Sequence, residues 1–107
     1  MDKAETQVED NKVEHRYELN VDGHVAFVTY ELEEGAIAFL HTIVPPELGG
    51  KGVGMRLARA VLEDARARGL AVIPHCPFIT AFIRRHQAEY LPLVAPEHRG
   101  RVTSSAE

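Results

Sequence analysis

Val13, His15, Tyr17, Leu19 and Val21 alternate with Glu14, Arg16, Glu18 and Asn20. That period of two sets one face of a strand in a core and the other in water. Asp22-Gly23 follows directly, and such a pair supplies the positive φ that a type I′ hairpin turn needs at both central residues. The return strand over 24–32 runs through Val25-Ala26-Phe27-Val28 without a polar break, which predicts a more central strand. Glu33-Glu34-Gly35 turns the chain again, and a third strand over 36–44 stops at Pro45-Pro46. Proline has no N–H to give a ladder.

The period then lengthens. Leu57, Ala58, Val61, Leu62 and Ala65 form one apolar stripe at helical spacing, the face a helix turns to a core. Arg66 and Arg68 stand in its last turn and Gly69 follows, cations and a glycine where the dipole and the left-handed cap want them. Leu70-Ala71-Val72-Ile73 is a short apolar run expected to lie parallel to the third strand, because a helix joins the two as a right-handed crossover. A second helix is predicted from Pro77 to about Gln87, with Phe78, Ile79, Phe82 and Ile83 inward, then a short extended piece from Tyr90 to Val94. The order β-β-β-α-β-α predicts an α/β domain with a mixed, mostly antiparallel sheet. Residues 1–11 have no period and read as a disordered leader, residues 96–107 as a flexible tail. The folded domain is expected over 12–95.

Composition narrows the function. A chain of 107 residues makes one domain with a sufficient core. The net charge of −4 argues against nucleic acid as a partner, so an anionic ligand needs a local positive field. One cysteine excludes an internal disulfide and a four-cysteine zinc site. The acidic N-terminus resembles no secretory or transit signal, and no apolar run reaches bilayer length, so the expectation is a cytoplasmic chain with no membrane partner. Oligomeric state is expected to be monomer or weak homodimer.

Gly49-Gly50-Lys51-Gly52-Val53-Gly54 lies between a strand end and a helix start. There, free backbone N–H groups and the positive helix end can meet an anion, and glycines let the main chain come close. Gly49 and Gly54 have P-loop spacing, but Met55-Arg56 occupy the Lys and Ser/Thr positions, which removes the ligands for magnesium and γ-phosphate. A dinucleotide fingerprint begun at Gly50 or Gly52 would need glycine at Met55 or Leu57. Both motifs fit poorly.

The run from Thr42 to Leu57 instead resembles the acetyl-CoA-binding signature of the GNAT superfamily of N-acetyltransferases, [QR]-x-x-G-x-[GA] after a strand. Gly52 and Gly54 match its small positions, and Gly49 stands where Gln or Arg is usual. The likeness spans roughly Val13 to Val94, and the small size with His41 and Cys76 resembles a minimal subfamily. It implies a fold with a splayed parallel strand pair and an activity that moves an acetyl group from acetyl-CoA to an amine acceptor. It also implies that Thr42, Ile43 and Val44 pair with the pantetheine, and that amides around Gly49, Gly50, Lys51, Gly52, Val53, Gly54, Met55 and Arg56 hold the pyrophosphate. Lys51 and Arg56 are candidates for phosphate charge, or simply a solvated helix end.

His41 shares a strand face with Ile37, Phe39 and Ile43. Parallel pairing brings Cys76 to the same end of the sheet, where α/β ligands bind. Pro74 should end that pairing, leaving a gap for a cofactor arm. With Pro77 as first helical residue, Cys76 is the N-cap, and a helix N-terminus favours thiolate. His41 is expected as a general base toward the amine and Cys76 as nucleophile or proton donor. Each has a plainer alternative: a partly buried histidine bonded to a carbonyl, and an inert buried cysteine. His41, His75, Cys76 and His86 lack zinc spacing, so no metal is expected. The acceptor is a small molecule or a protein lysine. The acidic turn Glu33-Glu34 either attracts a cationic acceptor or is merely solvated. A non-catalytic CoA-binding module and, third, a thiol-redox protein complete the expectations.

Overall fold

The computed structural model describes residues 7–103. Five strands, β1 (Val8–Asn11), β2 (Arg16–Val21), β3 (His24–Glu33), β4 (Ala36–Ile43) and β5 (Ala71–Pro74), lie side by side in chain order. All neighbours are antiparallel except β4 and β5, which are parallel. Helix α1 (Val53–Arg68) is the crossover between those two. After β5 come α2 (Pro77–Arg85), α3 (Gln87–Tyr90) and α4 (Arg99–Thr103), with 3-10 turns at Leu91–Leu93 and Pro96–His98. This is the mixed, mostly antiparallel sheet that the sequence predicts.

The predicted stripe on α1 is fully buried, Leu57, Ala58, Val61, Leu62 and Ala65 all lying inside. It packs on the sheet face of Tyr17, Leu19, Ala26, Val28, Ile37 and Phe39, and Ile79, Phe82 and Ile83 of α2 join the same cluster. Asp22 and Gly23 turn the β2–β3 hairpin with φ of 54° and 80°. Gly69 ends α1 in the left-handed region at φ 69°, its N–H donating to the Ala65 and Arg66 carbonyls.

Four expectations are corrected. Residues 8–11 are strand rather than leader, because β1 pairs in register with β2 and the Asp10 carboxylate accepts the Tyr30 hydroxyl. Residues 1–6 and 104–107 lie outside the described residues. The strand expected from Val13 begins at Arg16, after a turn in which His15 has φ 56°. The segment expected as an extended piece is a 3-10 turn, and only Val94 makes a single bridge to Val72. The stretch after Pro96 is folded through residue 103, since Val102 is buried and Arg84 donates to the carbonyls of Arg101 and Val102.

Tyr17 ties α1 to the sheet, and Tyr30 ties β3 to β1. Tyr17 donates to Asp64, which also pairs with Arg68 at 3.1 Å, and the Arg68 guanidinium donates to the Tyr17 hydroxyl at 3.1 Å. Burial first, then the bond to Asp64, pushes the Tyr17 phenol well above its ordinary range. Burial and Asp10 push Tyr30 up to about 12. A phenol raised on folding contributes stability that is complete below its unfolded value of 10.0 and is lost as pH rises through its folded value. Urea unfolding should therefore show a midpoint that falls from about pH 10 upward. Tyr17→Phe should flatten that fall while costing about 1 kcal/mol at neutral pH.

Candidate active site

A 3-10 turn at Pro46–Leu48 follows β4, anchored by buried Leu48, and hands the chain to the glycine run. Gly50 and Gly52 have φ of 79° and 72°, a region that side chains with a Cβ enter only at a cost. Gly49 donates to Pro46 and Lys51 to Leu48, and the first helical bond runs from Arg56 to the Gly52 carbonyl at 3.1 Å. Among the described residues, the N–H groups of Gly50, Gly52, Val53, Gly54 and Met55 have no acceptor in the chain. No side chain caps them. Five donors and a positive helix end are thus left to solvent or a ligand.

Gly54 is small for a separate reason. A Cβ there would stand 2.8 Å from Cζ of Phe78, so the first turns of α1 and α2 lie against one another. Phe78, expected inward, is 39% exposed beside the cradle. Lys51 extends to Asp22 at 3.7 Å, both side chains largely in solvent.

The strands part beside this cradle. β4 and β5 pair from Ala36–Ala71 to Phe39–Pro74. The Phe39 carbonyl then accepts both the His75 and the Cys76 N–H, each at 3.0 Å. From Leu40 to Ile43, β4 pairs with β3 alone. Cys76 is the N-cap of α2, as its place before Pro77 predicts. Thr80 secures that corner, its hydroxyl 3.1 Å from the Pro74 carbonyl and 2.9 Å from that of Cys76. The Cys76 side chain is 2% exposed, with Sγ 3.1 Å from Oγ1 of Thr42.

His41 stands at the same end of the sheet, but the expected shared face is overturned. Tyr30 pairs with Phe39 and Thr29 with His41, so Leu40 is an extra residue, a β-bulge. Beyond it the alternation inverts. Thr42 now faces the helices, opposite Val28, while His41 faces away from them with Thr29 and Ile43. His41 and Cys76 therefore flank the end of β4 from opposite faces, and no hydrogen bond joins them. The main-chain N–H of His41 donates to Oγ1 of Thr29 at 3.1 Å. Sequence reasoning missed the Thr42 side chain as the partner of Cys76, and only the inverted register could have revealed it.

Two other histidines are used locally. Nδ1 of His75 lies 3.0 Å from Arg101, and Nδ1 of His86 lies 2.9 Å from the Phe82 carbonyl. No three His, Cys, Asp or Glu side chains converge as a metal site among the described residues. No helix among them is long and apolar enough to cross a membrane.

A family model for GCN5-related N-acetyl-transferases matches residues 16–93, from the first residue of β2 to the 3-10 turn after α3. The chain belongs to that family. Membership and fold agree on acetyltransferase chemistry in general, and the match contains the glycine turn, the bulged strand and Cys76. It leaves β1 and the α4 segment outside. The residues present fit a diphosphate group: five free amides lie within the six residues from Gly50 to Met55, and glycine conformations that a Cβ would strain hold the loop.

That strain is measurable. Gly52→Ala should lower stability by about 1–2 kcal/mol in urea unfolding, because alanine must enter the left-handed region. Gly52→Asn should cost clearly less, since asparagine tolerates that conformation.

Proposed function

We propose that the chain is an acetyl-CoA-dependent N-acetyltransferase that delivers the acetyl group to a primary amine. The observation that carries this reading is the set of free amides at the start of α1, next to the stretch of β4 that β5 has released. The amides from Gly50 to Met55 hold the pyrophosphate, which takes the place of water on donors the fold leaves open. Thr42, Ile43 and Val44 offer a strand edge to the amides of the pantetheine arm, as in strand addition. Lys51 and Arg56, within and just after the glycine run, add positive charge to the phosphates.

The substrate thioester supplies an activated acyl carbon. Its reaction with an amine forms one C–N bond, breaks one C–S bond, and moves one proton from nitrogen to the departing sulfur. His41 lies on the exposed face, where an amine can arrive from solvent, and takes the proton from nitrogen. Cys76 lies on the helix side, enclosed and fixed by Thr42, and serves as proton donor to the leaving sulfur. This separation favours direct transfer over an acyl-cysteine route, because a buried sulfur already engaged by Thr42 is poorly placed to attack. The enclosure of Cys76 also favours one alternative, binding of CoA without turnover.

Acetyl-CoA at about 100 times its dissociation constant should stabilise the fold by about 2.7 kcal/mol in a thermal-shift titration. Mass spectrometry of the same sample should show no acetyl group on Cys76. His41→Ala should lower kcat/KM by about 10²–10⁴-fold and leave the acetyl-CoA stabilisation intact. Stabilisation without acetylation of any amine by the unaltered chain would support the binding alternative.

A further inference from the structure

Two residues of β4 stand against one of β3 at the bulge. Tyr30 pairs with Phe39 and Thr29 with His41, which leaves Leu40 with no partner of its own. Both bulged side chains turn to the sheet face that looks away from α1 and α2. Leu40 packs there on the apolar patch of Ala36, Ala38, Ile73 and Ala95, and His41 is exposed opposite half-buried Thr29. A bulge re-aims a side chain, but its extra residue is unpaired and the ladder is locally broken. A re-aimed side chain keeps one direction only if something besides the ladder fixes the backbone that carries it.

Thr29 supplies that tie. Its hydroxyl oxygen accepts the main-chain N–H of His41 at 3.1 Å, so a side chain of β3 grips the backbone of β4 at the register shift. Threonine is branched at Cβ and stiff at χ1, which makes the grip rigid. From the other side Thr29 is backed by its β2 partner Arg16. Arg16 is itself held by Glu18 at 2.7 Å and lies over the Phe27 ring at 4.3 Å. Leu40 thus pins the bulge toward β5 while Thr29 pins it toward β3. The His41 imidazole has no hydrogen bond or ring stack of its own among the described residues, unlike His75 and His86. Its direction therefore rests on the backbone beneath it.

We infer that Thr29 is the positioning residue of His41: its hydroxyl fixes the bulged backbone and so sets the direction in which the imidazole leaves the strand. Thr29 acts through His41 and not on any reacting atom. The expected effect on rate rests on the proposed role of His41, whereas the placement of the ring does not.

Thr29→Val removes the acceptor, keeps the shape and retains a residue that strands favour, so cooperative thermal unfolding should persist. Thr29→Ser returns the hydroxyl. Proton–carbon NMR of the imidazoles reads placement without turnover, the His41 signals being assigned by their loss in His41→Gln. Thr29→Val should shift or broaden those signals and leave His24, His75, His86 and His98 in place, and Thr29→Ser should restore them. His41 signals that stay put in Thr29→Val, or move equally in both variants, would overturn the inference. With butylamine as the amine probe, Thr29→Val should lower kcat about tenfold at unchanged KM for acetyl-CoA, and Thr29→Ser should stay within about twofold of the unaltered chain. Equal slowing by both variants would also count against it. A chain whose His41 signals follow the hydroxyl while no butylamine is acetylated keeps the positioning role and loses the catalytic reading.

Discussion

The carbonyl of Phe39 accepts two N–H groups, those of His75 and Cys76, and the ladder between β4 and β5 closes there. Pro74 has no donor to extend it, and Pro77 starts a helix that carries the chain away. Four residues of β4 are thereby left with one neighbour instead of two. The bulge at Leu40 falls within that freed stretch, so one strand end sends His41 to the open face and Thr42 to the helices. Without the early parting β4 would offer no edge, and without the bulge His41 would face the helices.

Other costs in the fold are arranged around the same point. Gly50 and Gly52 adopt conformations that weaken the unliganded chain by leaving donors unpaired and backbone entropy to be lost. What keeps the cradle in place is the rest of α1: five buried positions of its stripe and the Tyr17–Asp64–Arg68 contacts hold the helix on the sheet. Tyr90 does the same from the C-terminal side, donating to Glu63 at 2.7 Å. The helix is thus anchored along its length, from Val53 to Ala65, before an anion binds, which lowers the ordering cost of binding.

Much of this was legible in the residues. The α1 stripe, the Asp22-Gly23 turn, Gly69 as cap and Cys76 before Pro77 each follow from local chemistry, and the structure has each where that chemistry puts it. The bulge was not legible, because Phe39-Leu40-His41-Thr42 reads as an ordinary alternating run and the extra residue appears only against the register of β3. β1 was missed because Val8-Glu9-Asp10-Asn11 is an edge strand whose single apolar residue gives no period, while its polar Asp10 faces inward to Tyr30. The α4 segment was missed for a related reason: Val102 is its one buried apolar anchor, and its other ties are polar, carbonyls that accept Arg84 and the guanidinium groups of Arg99 and Arg101. Short elements held by one side chain and a few backbone bonds leave little pattern in sequence.

The central claim concerns a group of amides, and amide hydrogen exchange reads it directly. With CoA present, Gly50, Gly52, Val53, Gly54 and Met55 should gain protection together with the freed end of β4, while the outer turns of α1 and the β1–β2 ladder stay unchanged. Protection confined to other segments, with those five amides exchanging as before, would contradict the account.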